Sequence, residues 1–291
     1  MRVLKSFEYL EPETIEEAVR VLSRYGRKAK ILAGGMDLVP SLRRGEIKPE
    51  YVVSIQRVSG LGYIGGDGVQ GLRIGALTRL FPLELSPIIQ EDCRVLYEAI
   101  HHIASIQVKT MGTVVGNICV ATPASDVAAA LFALGAILKI ASTSSERSLP
   151  IEDFFIGVNL TALLPGEIVT EVFLPRPPPG NGSAFLKLVR TAADIAKVNV
   201  AVLVAVSDNI CQEARIVLGS VAPTVIRAKK AEAMLKGKKL ESKVIRAAAD
   251  AAAKEIKPIT DIRSTAEYRE EVTRVLVRRA IEKASERAKK V

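Results

Sequence analysis

The stretch from Pro175 to Gly182, Pro-Arg-Pro-Pro-Pro-Gly-Asn-Gly, constrains this chain more than any other. Proline has no N–H to give to a helix or a strand ladder, so regular structure is expected to break there. The patterns on its two sides differ. Upstream, strand-like and helix-like runs alternate, as in an α/β unit. Downstream, three strand-like runs come first: Ala184 to Arg190, Val198 to Ser207 and Ala214 to Leu218. Three helical runs follow, Val225 to Leu235, Glu241 to Ile256 and Ala266 to Lys289, an α+β order with an antiparallel sheet. The chain of 291 residues is long enough for two cores. A boundary is therefore expected between residues 176 and 177.

The upstream half opens on a short strand, Phe7 to Leu10. Thr14-Ile15-Glu16-Glu17 has the form of a capping box, and Ile15, Ala18, Val19 and Leu22 follow at helical spacing. Gly26 is placed to end that helix. A second strand, Lys30 to Ala33, runs straight into Gly34-Gly35-Met36-Asp37. Leu38 to Arg44 reads as a short helix or turn, and Tyr51 to Ile55 as a third strand. The Gly34-Gly35 pair lacks the Gly-x-Gly-x-x-Gly spacing of a Rossmann fingerprint, which disfavours a nicotinamide-binding domain of that kind. From Gly60 to Gly75 frequent glycine, Gly68 included, reads as a hairpin with a flexible tip. Pro82 and Pro87 bracket a connector. Cys93 to Ser105 and Val127 to Gly135 are expected helices, and Ala136 to Ala141 and Ile168 to Leu174 are expected strands.

Thr110 to Asp126, Thr-Met-Gly-Thr-Val-Val-Gly-Asn-Ile-Cys-Val-Ala-Thr-Pro-Ala-Ser-Asp, reads as a loop-forming segment. Gly112 and Gly116 would let the backbone turn and approach a ligand, with Thr110, Thr113 and Thr122 as hydroxyl donors beside them. Such a backbone can aim several N–H groups at one anion, such as a pyrophosphate. The two glycine segments are expected to fold together around a single nucleotide cofactor.

Composition excludes several classes. The net charge is +9, but the basic residues are scattered and aromatics make up 4%, with no Trp to stack bases, so nucleic-acid binding is disfavoured. Cys93, Cys119 and Cys211 form no Cys-x-x-Cys pair, which argues against a metal or iron–sulfur site in this chain. His101 and His102 are adjacent, so on a helix they point about 100° apart and are read as a polar helix end. No apolar run is long enough to span a bilayer, and Met1 to Lys5 opens no signal peptide, so a cytoplasmic location is the default.

Ala33-Gly34-Gly35-Met36-Asp37-Leu38-Val39-Pro40 resembles the Ala-Gly-Gly-Thr/His-Asp/Ser-Leu-Leu-Pro pattern of the FAD-binding medium subunits of the molybdenum hydroxylases. That family includes carbon monoxide dehydrogenase, xanthine dehydrogenase and aldehyde oxidoreductases. Val108-Lys109-Thr110-Met111-Gly112-Thr113-Val114-Val115-Gly116-Asn117 resembles its Ile-Arg-Asn-x-Gly-Thr-Ile-Gly-Gly-Asn pattern, and Thr122-Pro123-Ala124-Ser125-Asp126 resembles its Asp-Pro-Ala-x-Asp. Smaller likenesses, such as Asp194-Ile195-Ala196 and Asp261 to Arg269, extend it over nearly the whole chain.

The resemblance implies an α+β fold. A two-lobed FAD-binding domain of the vanillyl-alcohol-oxidase type, with lobes at about 1–56 and 57–176, would precede a smaller domain, 177–291, with a three-stranded antiparallel sheet and helices. It implies FAD as cofactor, cradled by Leu32, Ala33, Gly34, Gly35, Met36, Asp37 and Leu38 from one segment. Thr110, Gly112, Thr113, Val114, Val115, Gly116 and Asn117 would serve from the other. Asp126 would accept a hydrogen bond from the cofactor, and Phe185 and Lys187 would approach it from the second domain. No catalytic side chain and no metal ligand is implied. The implied role is electron transfer from the [2Fe–2S] clusters of a small subunit to an external acceptor, within a complex whose large molybdopterin subunit oxidises the substrate. A stand-alone flavin reductase or oxidase of the same fold, or a flavin-free structural subunit, are the competing readings. Two positions depart from the pattern. Val115 stands where the family usually has Gly, and its β-branch is expected to resist positive φ and to crowd the phosphates. Met36 replaces a polar residue.

Overall fold

A computed structural model describes residues 5–66 and 70–288. Met1 to Leu4, Gly68 at the expected hairpin tip, and Lys289-Lys290 lie outside the described residues.

The first lobe consists of β1 (Glu8–Leu10), α1 (Ile15–Tyr25), β2 (Ala29–Leu32), α2 (Leu38–Arg44) and β3 (Tyr51–Ser54). Its three strands are parallel, in the order β1-β3-β2. The start of α1 is fixed locally: the Glu17 N–H donates to Thr14 Oγ1 at 3.1 Å. The returning bond of the box goes one residue further back than expected, from the Glu13 N–H to Glu17 Oε2 at 3.0 Å. Ala18, Val19 and Leu22 are buried, as the helical spacing requires, and Gly26 with φ +50° ends the helix. Because β3 lies between the other two, the turn after β2 stands at the sheet edge, where a ligand can reach it.

The second lobe carries a five-stranded antiparallel sheet, β4-β5-β10-β6-β7, built from β4 (Ile64–Gly66), β5 (Gly71–Gly75), β6 (Ile137–Ala141), β7 (Glu146–Pro150) and β10 (Ile168–Pro175). A small hairpin, β8 (Phe155–Gly157) with β9 (Leu160–Thr161), stands apart from it. Between β5 and β6 run α3 (Leu80–Leu85), α4 (Pro87–Asp92), α5 (Arg94–His101), α6 (Ile106–Met111), α7 (Val114–Cys119) and α8 (Asp126–Leu134). Pro82 and Pro87, expected to bracket a connector, instead sit in the first turns of α3 and α4. An N–H there has no partner within the helix, so proline costs nothing.

The expected loop at 110–126 is mostly helical: α6 ends at Met111 and α7 begins at Val114. Gly112 has an ordinary φ of −65°, and Gly116 lies inside α7 without a left-handed φ. The sharp turn expected at these two glycines is therefore not made by a left-handed backbone. Val115 occupies the first turn of α7 with its side chain in the core, so its β-branch introduces no backbone strain. All nine residues of α8 are buried, because sheet strands and helices cover it on every side.

The final part has four strands, one more than expected: β11 (Asn181–Leu188), β12 (Val198–Ser207), β13 (Ile210–Gly219) and β14 (Ile226–Arg227), antiparallel in that order. The extra strand occupies the start of the expected helix at Val225. The Ala228 N–H donates to Ile216 O at 2.8 Å, prolonging the ladder, and α9 (Lys229–Leu235) begins only afterwards. Both faces of β12 are covered. Val198, Val200, Val202 and Val204 pack with α9, α10 (Ser242–Ala253) and α11 (Ala266–Ala288), while Ala201 and Leu203 join the core of the preceding lobe. The regular structure of β10 and β11 leaves only residues 176–180 as connector. Gly182, expected in the linker, lies in β11 so close to α11 that a Cβ would come within 2.1 Å of Ala284 O.

Candidate functional site

The turn after β2 and the junction between α6 and α7 meet. A Cβ on Gly34 would lie 2.0 Å from Met111 O and 3.0 Å from Gly112 Cα, so only glycine allows this approach. The second segment is held in turn by the chain entering α3. The Leu80 N–H donates to Gly112 O at 2.9 Å, and the Val114 N–H to Thr78 O at 3.1 Å. These contacts frame a groove of about 280 Å³ lined by Ala33, Gly34, Gln56, Val58, Gly62, Leu77, Arg79, Met111 and Thr113.

The chemistry of the groove lies in its backbone. Among the described residues, the N–H groups of Gly34, Gly35, Met36, Asp37 and Leu38 donate to no protein acceptor, and neither do those of Thr113 and Val115. Gly34 and Thr113 line the groove itself; Gly35 to Leu38 continue the first turn, exposed or half-buried, while Thr113 and Val115 are buried. Donors of this density at converging bends suit a multiply charged oxyanion. The carbonyl side of the turn is by contrast engaged: Ala33 O accepts from Gln56 Nε2 at 2.7 Å, and Gly35 O from the Val39 N–H at 3.1 Å. The turn thus offers five open donors while the Ala33, Gly35 and Asp37 carbonyls are already engaged. Gly35 has φ +72°, the one left-handed position in it. The residues present fit the diphosphate of a dinucleotide.

Other predicted residues have different employment. The Thr110 hydroxyl donates to Gln107 O at 3.0 Å, inside its own helix. Thr113 Oγ1 accepts from the Gly116 N–H at 3.0 Å, the Asn117 N–H donates to Thr113 O, and Asn117 Oδ1 accepts from Ser125 Oγ at 2.6 Å. Val114 is fully buried. Leu32 and Met36 supply apolar packing, against Gly35 and Gly112 respectively. Asp37 is exposed at the start of α2.

Asp126, Phe185 and Lys187 do not line the groove; they form a second cluster. Lys187 Nζ donates to Asp126 Oδ2 at 2.7 Å, and the two side chains are 3% and 6% exposed. Asn199 Nδ2 donates to Asp126 Oδ1, also at 2.7 Å. Both carboxylate oxygens thus already have one protein donor each, and Asp126 lies outside the groove lining. Burial pushes the Asp126 carboxyl up, against Lys187 and Asn199, which pull it down. Lys187 Nζ also donates to His102 O at 3.2 Å, and the His102 ring lies 6.1 Å from that of the buried Phe185. His101 pairs with Glu84 instead, at 2.9 Å.

A third arrangement ties α11 to α5. Glu98 Oε1 accepts from Arg287 at 2.6 Å and Lys283 at 3.0 Å, and Oε2 accepts from the Phe185 N–H at 2.9 Å. Burial raises the Glu98 carboxyl, but these donors together outweigh it and hold it below the usual range.

The sequence reading did not single out Gln56, Val58, Gly62, Leu77 or Arg79 as groove residues. They belong to neither motif, and only the fold carries them there. Among the described residues no helix is long and apolar enough to cross a membrane, and no group of His, Cys, Asp and Glu is disposed to hold a metal.

The chain matches the FAD binding domain in molybdopterin dehydrogenase over residues 5–177 and the CO dehydrogenase flavoprotein C-terminal domain over 183–284. It is 36% identical to subunit alpha of the 6-hydroxypseudooxynicotine dehydrogenase complex of Paenarthrobacter nicotinovorans, covering 98% of this chain and 96% of that one. It is 35% identical to the carbon monoxide dehydrogenase medium chain of Hydrogenophaga pseudoflava, over 96% of each. A solved carbon monoxide dehydrogenase from Hydrogenophaga pseudoflava, lacking the Mo-pyranopterin moiety of its cofactor, superimposes with a TM-score of 0.95 at 35% identity, covering 98% of this chain and 99% of that one. With both domains matched in order, the chain belongs to the FAD-binding medium subunits of the molybdenum hydroxylases, oxidoreductase subunits whose cofactor is FAD.

Proposed function

We propose that this chain is the electron-transferring subunit of a three-part molybdenum hydroxylase, working beside a [2Fe–2S] small subunit and a molybdopterin large subunit in the cytoplasm. The chemistry FAD supplies when bound is relay of electrons between the partner's clusters and an external acceptor. The chain's own share is to bind and orient. The open N–H groups of Gly34 to Leu38, with those of Thr113 and Val115, would hold the diphosphate. Thr113 and Asn117 would support that grip indirectly, through the cap and side-chain bonds that fix α7. Asp126, Phe185 and Lys187 would fix the wall between residues 1–176 and 177–291, the two domains we assign. No side chain is asked to move a proton or attack a substrate.

The observation that carries this reading is the approach of Gly34 to Met111, which brings unpaired donors from two distant segments to one groove. Purifying the native assembly tests it. Flavin absorbance near 450 nm, together with iron and molybdenum in co-eluting subunits, is the expected result. A flavin-containing chain that elutes alone and reduces a small molecule directly would support the stand-alone reductase instead.

A further inference from the structure

Arg79 is the one charged residue among those lining the groove. Its backbone is pinned: Arg79 bridges Thr113 across the two segments, and its carbonyl accepts from the Leu83 N–H at 3.4 Å. Its side chain is exposed and, among the described residues, has no carboxylate within ion-pair distance. Every other residue lining the groove is neutral, and Asp37 on the adjoining turn is acidic, so the open backbone donors alone would meet a bound diphosphate with partial charges only. An anion of about two negative charges placed there would leave most of its charge uncompensated unless a cation joined it.

We propose that Arg79 is the cation that pairs with the diphosphate of the bound dinucleotide and makes the site select FAD over flavins lacking that group. The inference rests on the reading of the groove as the FAD site. A guanidinium suits the task because its planar donors match two phosphate oxygens at once, which an ammonium cannot do. The attachment is also well placed. Because Arg79 is bridged to Thr113, its stem is fixed to the same piece of backbone that offers the donor N–H groups.

The test uses the full-length chain stripped of flavin, titrated with FAD and, separately, with riboflavin, by flavin fluorescence at low and high salt. Arg79→Gln is expected to weaken FAD about tenfold, to change riboflavin less than about twofold, and to flatten the salt dependence of FAD binding. Arg79→Lys should fall between wild type and Arg79→Gln. Arg246→Gln, which removes the same charge from an exposed site on α10, should leave both ligands unchanged and so controls for net charge. Unchanged FAD affinity in Arg79→Gln overturns the proposal, as does an equal loss for FAD and riboflavin. A wild-type chain that binds neither ligand overturns the groove reading itself, a distinct failure visible before any variant is made.

Discussion

The groove and the seam between the two domains are both lined by polar groups, yet they are built on opposite principles. In the groove every lining side chain but Arg79 is neutral, and the other polar atoms that matter are backbone N–H groups left without partners. In the seam the polar atoms belong to charged side chains, and nearly every one is answered: Asp126 by Lys187 and Asn199, Glu98 by Arg287, Lys283 and the Phe185 N–H. A buried charge without a partner is too costly to keep, so the seam is closed. Backbone donors at the edge of solvent can wait for a ligand at little cost, so the groove stays open. On the proposed reading, the contrast separates residues that bind from residues that hold the binding surface in place, although Asp126 of the seam occurs in a family motif beside the groove segment.

The strongest way to break this contrast is to fill the point where the groove segments touch. Gly34→Val should push the Met111 backbone away and reduce flavin retention on the order of a hundredfold or more, while the far-ultraviolet circular dichroism stays native. Native flavin content in that variant would remove the basis for the groove. The seam should respond in stability instead. Glu98→Ala leaves the buried Phe185 N–H without its acceptor and two part-exposed cations without their carboxylate, and should cost about 1–3 kcal/mol in denaturant unfolding. Because the Glu98 carboxyl lies below its ordinary value, the stability it adds is present at neutral pH. That stability drains away as pH falls below about 4.5 toward the folded-state value. Melting curves between pH 7 and 3 should therefore slope less steeply in Glu98→Gln than in wild type.

Smaller effects sharpen the boundary between the two regions. Thr113→Ala removes the cap of α7 but leaves the groove backbone donors in place, and should cost about 1 kcal/mol of stability with flavin largely kept. Gly116→Ala should act through the same hydroxyl, since its Cβ would sit 2.7 Å from Thr113 Oγ1. The thiols should be nearly silent. Burial pushes Cys93 and Cys119 up to about 12 and Cys211 to about 11, so an aromatic disulfide reagent should label them only after unfolding.

Local features proved legible wherever their cause lies within one helical turn. The Thr14 cap, the apolar face of α1, the buried alanine-rich α8 and the long strand β12 are all visible in the residues themselves. The errors share a cause. Residues 110–126 look like loop because two glycines and three threonines interrupt the apolar pattern, yet Gly116 is tolerated in a helix whose first turn is capped by Thr113. The fourth strand, Ile226–Arg227, was hidden because its pairing partners on β13 fix it from outside, assisted by Glu232, which accepts from both the Ile216 N–H and Arg227.

Sequence alone determined the alternating first part, the strand-then-helix second part, and the two glycine motifs that name the family. It could do so because capping, helical periodicity and proline punctuation act over a few residues. Only the tertiary structure decided that Gly34 touches Met111, that Arg79 enters the groove, and that Asp126 is spent on Lys187, 61 positions away. Contacts between distant segments are chosen by packing of whole elements, and no local pattern records which donor will be left open and which will be filled.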